Sequence, residues 1–208
     1  MESFNDLYYK LKENKIIKEM EEYAKVNSVP IINEQGLMFL LDKVYNYKVI
    51  NILEVGCAIG YSASLMALLS GGIVDTIERN EDMYRQASIF IDKLGLKDKI
   101  RIHYADALEL DLAKLEKEYD MIFIDAAKAQ YQKFFLKYEG LLKKGGIIIC
   151  DNLSFHNLTD GNLEDLSKNL RSMIKKINLF KDWLKDNEAY DTTIYSSIGD
   201  GLSISIKK

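Results

Sequence analysis

The sequence is poor in the residues that mark chain boundaries, metal clusters and secretion. One proline, Pro30, and 12 scattered glycines in 208 residues leave no linker, repeat or low-complexity tract, so a single domain over 1–208 is expected. Two cysteines, Cys57 and Cys150, sit in apolar settings, and two histidines without a Cys-x-x-Cys pair argue against a zinc or reactive-thiol site. No apolar stretch nears the roughly 18 residues of a membrane span. The amino terminus, Met1-Glu2-Ser3-Phe4-Asn5-Asp6, lacks a basic region followed by an apolar one. No membrane association and a cytoplasmic location are expected. A net charge of −4 argues against a wholly basic nucleic-acid coat and leaves basic patches to be read by segment.

What is present is enough apolar residue, 48% of the chain, to bury one substantial core. An amino-terminal helical region, 5–27 and 33–46 within residues 1–46, precedes short β-branched runs near 49–55, 73–77, 100–104, 120–124 and 146–150, separated by helical patterns. This alternation predicts an α/β fold with a mostly parallel sheet and helices on both faces. Tyr190–Ser197 and Leu202–Lys207 flank Ile198-Gly199-Asp200-Gly201, a hairpin-like turn that predicts an antiparallel edge. Ligands of such sheets bind beyond the carboxyl ends of the strands. Those ends carry Glu54, Glu78, Asp106, Asp125, and Asp151 with Asn152.

The sharpest signal is Asn51-Ile-Leu-Glu-Val-Gly-Cys-Ala-Ile-Gly-Tyr-Ser62, an apolar strand that ends on an acid and then on two glycines opening a helix. Glycine at such a turn lets the backbone approach a ligand where a Cβ would collide. Glu78 ends the next strand 22 residues after Gly56, about where a ribose-binding carboxylate stands in adenosyl and dinucleotide folds. Gly56-x-x-x-Gly60 lacks the third glycine of a dinucleotide fingerprint. The pattern therefore favours a nucleoside with a small sulfonium tail, S-adenosylmethionine (SAM), over a pyrophosphate.

With Phe123-Ile-Asp-Ala-Ala-Lys128 and Cys150-Asp-Asn152 following in order, the chain resembles the class I methyltransferases over roughly residues 33–208, and among them the metal-dependent catechol and caffeoyl-CoA O-methyltransferases. More narrowly, Asp125-Ala-Ala-Lys-Ala-Gln-Tyr131, Trp183-Leu, Tyr190-Asp-Thr-Thr-Ile194 and Gly199-Asp-Gly-Leu202 resemble the bacterial tRNA 5-hydroxyuridine methyltransferases. That resemblance implies a Rossmann-like, seven-stranded sheet with an antiparallel carboxyl-terminal hairpin. It implies a homodimer that uses SAM and a divalent metal to methylate the 5-hydroxyl of a wobble uridine in the tRNA anticodon region. The subfamily pattern leads one to expect threonines at Cys57 and near Cys150; apolar thiols stand there instead, and neither is expected to carry chemistry.

Asp125, Asp151 and Asn152 offer three hard oxygen donors, a set suited to magnesium; Asp151 and Asn152 equally suit a helix cap. Lys128 is a candidate proton acceptor or oxyanion partner, against the ordinary reading of a solvated lysine opening a helix. Glu78 reads as the ribose ligand or as a strand terminus paired with Arg79. Asp106 with Ala107 would face the adenine, or Asp106 would cap a helix at 107–117. By the resemblance, Met38 and Ser62 line the methionine end, Gly56 meets the cofactor at the glycine turn, Glu54 attracts the cofactor's amino group directly or through water, and Asp125 touches cofactor as well as metal.

In 163–185, Leu166, Leu170, Ile174, Ile177 and Leu184 mark one helical face, while Lys168, Arg171, Lys175, Lys176, Lys181 and Lys185 outnumber Glu164, Asp165 and Asp182. Arg171 and Lys175 are the candidates for holding an RNA backbone, the alternative being a solvated face. The amino-terminal region adds Lys10, Lys12, Lys15 and Lys18, with Tyr8 and Tyr9 available to stack on a base or to serve as core. His156, in Ser154-Phe-His-Asn157, borders this region without an assigned role. A small-molecule catechol O-methyltransferase and a non-catalytic nucleotide-binding module are the competing functions.

Overall fold

The computed structural model describes residues 2–116, 118–154 and 167–208. Three helices, α1 (Phe4–Lys12), α2 (Lys15–Val26) and α3 (Glu34–Asn46), precede β1 (Asn51–Val55), α4 (Tyr61–Ser70), β2 (Ile73–Glu78), α5 (Glu81–Lys93) and β3 (Ile100–Tyr104). Then come β4 (Tyr119–Ile124), α6 (Tyr131–Tyr138), β5 (Leu142–Cys150), α7 (Lys168–Asp186), β6 (Tyr190–Tyr195) and β7 (Leu202–Lys207). The seven strands lie in the order β3-β2-β1-β4-β5-β7-β6. Neighbours from β3 to β5 run parallel, whereas β7 is antiparallel to both β5 and β6.

Side chains alternate across the strands, and both faces are covered. Ile52, Val74, Met121, Phe123, Ile147 and Ile149 face one apolar cluster with Ile17, Leu37, Leu40, Leu65 and Phe90 of α2 to α5. Leu53, Val55, Ile77, Ile122, Ile124 and Ile148 face the other, against Phe135 and Tyr138 of α6 and Ile177, Phe180 and Leu184 of α7. Each such fully buried side chain contributes about 1.5–3 kcal/mol. The near-continuous apolar strands follow from this double coverage.

Two expected helices change form. The stretch 5–27 divides because Asn14 caps a new helix, its Oδ1 accepting from Ile16 N at 2.9 Å and from Ile17 N. No α-helix forms over 107–117: among the described residues there is only a 3₁₀ turn, Leu112–Lys114. Asp106 Oδ1 accepts from Leu108 N at 2.8 Å, an Asx turn that uses the same side-chain chemistry as a cap without propagating a helix. Among the described residues, no helix is long and apolar enough to cross a membrane.

Candidate active site

Strand order reverses between β1 and β4, and the chain opens a cleft there. Asp125 N donates to Val55 O at 2.9 Å, joining the two strand ends. Gly56 has φ +105°, and a Cβ on it would lie 2.0 Å from the Asp125 carbonyl oxygen, so the turn accepts only glycine. A cavity of about 690 Å³ spreads from this point across the carboxyl ends of the parallel strands, within the usual size of a small-molecule site.

At one end Glu78, half-buried, lines the cavity. Its Oε2 accepts from Ala58 N and its Oε1 from Asn80 N, at 2.8 and 2.7 Å, which fixes the carboxylate beside the glycine loop. Arg79 does not pair with it; the Nη1 of Arg79 approaches Asp106 Oδ2 at 3.6 Å. Asp106 and Ala107 line the same end, and Gly56 and Ser62 border the middle. Glu54 lies fully buried beneath the floor, where Ser62 Oγ donates to it at 2.5 Å and Thr76 Oγ1 donates to its other oxygen. Burial pushes its carboxyl up to about 8; the two hydroxyls oppose the shift, and the charges of Asp125 and Glu78 add to it. Glu54 therefore meets the cavity through Ser62 rather than by lining it. Met38 is half-buried on α3, packed against the core, and is not among the residues that line the cavity. Its place on an apolar helical stripe accounts for that.

At the other end stand Asp125, Lys128, Asp151 and Asn152. Asn152 holds a left-handed φ of +65°, with Nδ2 donating to Asp125 Oδ1 at 2.9 Å and its backbone N donating to Asp151 Oδ1 at 2.6 Å. Lys128 Nζ, from the 3₁₀ turn Lys128–Gln130, donates to Asn152 Oδ1 at 3.3 Å. Burial raises both aspartates, Asp151 to about 7 with the Asp125 charge adding to the effect, while burial lowers Lys128 against the pull of Asp125, Asp200 and Asp151. Among the described residues, no three acidic, histidine or cysteine side chains cluster closely enough to hold a metal by themselves. Asn152 adds an amide beside the two carboxylates. Its N–H now fills the cationic role against Asp125, and turning the amide over offers Oδ1 to the same point. Two buried carboxylates in want of a positive charge, with an amide oxygen in reach, fit a hard divalent cation.

Sequence reasoning placed no role on Asp200, which also lines this end. The signal lay in the topology: β7 runs antiparallel to β5, so the β6–β7 turn must fall where β5 ends. His156 and Phe155, with Glu164, Asp165 and Leu166 of the basic segment, lie outside the described residues. The remainder of that segment forms α7, with Arg171 and Lys175 exposed and Ile174, Ile177, Phe180 and Leu184 buried.

Among known proteins, an O-methyltransferase family model matches residues 8–208, and the chain belongs to that family. It is 32% identical over 168 residues to a catechol O-methyltransferase of Niastella koreensis, covering 76% of this chain and 73% of that one. A crystal structure from Staphylococcus aureus, provisionally assigned as a caffeoyl-CoA O-methyltransferase, superposes with a TM-score of 0.88 at 40% identity, over 95% and 94% of the two chains. A Podospora anserina methyltransferase solved with S-adenosylhomocysteine bound gives 0.80 at 25% identity, over 94% and 88%. The fold and cavity described above are thus those of a SAM-dependent O-methyltransferase of the caffeoyl-CoA and catechol type.

Proposed function

We propose that this enzyme methylates the 5-hydroxyl of 5-hydroxyuridine at the tRNA wobble position, giving 5-methoxyuridine. The observation that carries the reading is the placement of α7. Its exposed face bears Lys168, Arg171, Lys175 and Lys176, and the helix packs beside the Lys128–Gln130 turn. A basic helix packed against the turn that carries Lys128 suits a polyanionic substrate whose reacting base enters while its backbone stays outside. The tail motifs Tyr190–Ile194 and Gly199–Leu202 favour the same substrate.

SAM supplies the electrophilic methyl group, and Glu78, Asp106 and Ala107 would take its ribose and adenine while Gly56 and Ser62 border the remainder. Asp125, Asp151 and Asn152 would hold magnesium or another divalent cation, whose Lewis acidity suits the vicinal O5 and O4 of 5-hydroxyuridine. Lys128 receives the hydroxyl proton or holds the oxyanion as the new O–C bond forms and the C–S bond breaks. The cavity walls orient the hydroxyl toward the methyl group, where positioning supplies much of the rate.

A catechol-like small molecule is the second reading, favoured by the similarity to the Niastella koreensis enzyme, since a catechol presents the same vicinal oxygens. Mass spectrometry of tRNA nucleosides from cells with and without the gene decides between them. The tRNA reading expects 5-methoxyuridine to fall and 5-hydroxyuridine to accumulate; an unchanged nucleoside profile overturns it.

A further inference from the structure

The turn between β6 and β7 is wedged into the metal end of the cavity. Leu153 N donates to Gly201 O at 2.9 Å and Ser154 N to Asp200 O at 2.7 Å, which continues the β5–β7 pairing past the strands' ends. Gly201 has φ +83°, and a Cβ there would lie 2.2 Å from Ser154 Oγ, so the close approach of turn and loop depends on glycine. On the opposite side, Asn33 Nδ2 donates to Asp200 Oδ2 at 3.3 Å and Gly199 N to Gln35 Oε1 at 3.1 Å. The turn is thus held from the start of α3 and from the loop after Asn152. What it delivers is a third carboxylate, whose charge bears on Asp125, Asp151 and Lys128 alike.

We propose that Asp200 is a positioning residue, the counter-charge that keeps the Lys128 ammonium at this end of the cavity during methyl transfer. The inference rests on the oxyanion-holding role given to Lys128 above. Lys128 shares the cavity with three carboxylates, and a divalent cation held by Asp125 and Asp151 would cancel the attraction of that pair for the ammonium. Asp200 is then the carboxylate left to hold it. It lies on a separate element, so the cation can be held by the strand ends while the lysine is held by the hairpin. Asn33 couples this arrangement to the 29–33 segment, which lines the same cavity.

The test uses the full chain and three variants, Asp200→Asn, Asp200→Glu and Lys128→Ala, because Asp200→Asn retains an acceptor for Asn33 and removes only the charge. A pulse of acetic anhydride in magnesium chloride, read by peptide mass spectrometry, reports the exposure of Lys128 without any substrate. Asp200→Asn is expected to acetylate Lys128 several-fold faster than the parent, with the exposed Lys97 unchanged and Asp200→Glu in between. In methyl transfer to 5-hydroxyuridine tRNA and to catechol, Asp200→Asn is expected to lower kcat by about tenfold, with little change in KM. The same substitution added to Lys128→Ala should cost nothing further. Equal labelling of Lys128, or losses that simply multiply, overturns the proposal. A fully active Lys128→Ala removes the catalytic reading of Lys128 and the positioning role with it. An inactive Lys128→Ala beside a fully active Asp200→Asn leaves that reading intact and overturns Asp200 alone.

Discussion

Asn152 Nδ2 donates to Asp125 Oδ1 at 2.9 Å, a bond that ties the end of β5 to the end of β4 across the floor of the cavity. It places an amide where two raised carboxylates call for a cation, at the ends of β4 and β5, whereas Glu78 closes β2 on the far side of β1.

From that separation, Asp151→Ala or Asn152→Ala is expected to reduce methyl transfer on the order of a hundredfold or more, with SAM affinity little changed. EDTA should reproduce the loss in the parent enzyme. Calorimetric titration of SAM beside a turnover assay checks both halves. Full turnover in chelated enzyme would make the Asp125, Asp151 and Asn152 group structural only.

Glu78→Ala is expected to weaken SAM binding by about 1–3 kcal/mol, because charged hydrogen bonds to the ribose disappear. Part of that loss passes through the glycine loop, because Glu78 also holds Ala58 N. Glu78→Gln, which keeps an acceptor for Ala58, should lose less. Unchanged affinity in a folded Glu78→Ala variant removes the ribose assignment.

Glu54 gives a pH signature of the fold. Its carboxyl is raised from 4.5 to about 8, so the folded state binds the proton more tightly than the unfolded chain. Its contribution is complete below about pH 4.5, declines as the pH rises, and is gone above about pH 8. Glu54→Gln should therefore flatten the fall of Tm between pH 5 and 8 relative to the parent. Asp125 and Asp151 titrate in both proteins, so the difference between the two curves reports Glu54 together with its interaction with Asp125. Parallel curves would show that Glu54 is not protonated on folding.

Arg171→Ala with Lys175→Ala, one helical turn apart on the exposed face of α7, is expected to raise the KM for tRNA and to leave SAM binding intact. The logarithmic salt slope should fall by about one unit for each backbone phosphate that the variant no longer neutralises. A parental salt slope in the double variant would make this face merely solvated.

Much of the architecture was legible because double-sided burial leaves a plain mark: apolar β-branched runs, each closed by an acid, at helical spacing. Gly56 was legible for the same kind of reason, since only a strand-end turn requires it. Asn14 and Asp106 were harder. Both side chains bond a nearby backbone N–H, and whether a helix follows depends on packing that the local sequence does not contain. Met38 sits on a stripe whose burial is decided by its neighbours on α3. Asp200 needed the antiparallel placement of β7 beside β5, a relation between segments about 50 residues apart, before its turn could be assigned to the site.

Methyl transfer from SAM to purified 5-hydroxyuridine tRNA, run beside catechol and with and without EDTA, tests the central claim most directly. The predicted result is 5-methoxyuridine formation that is abolished by the chelator and exceeds any methylation of catechol. Turnover of catechol with none on the tRNA would contradict the claim and assign the site to a small vicinal diol.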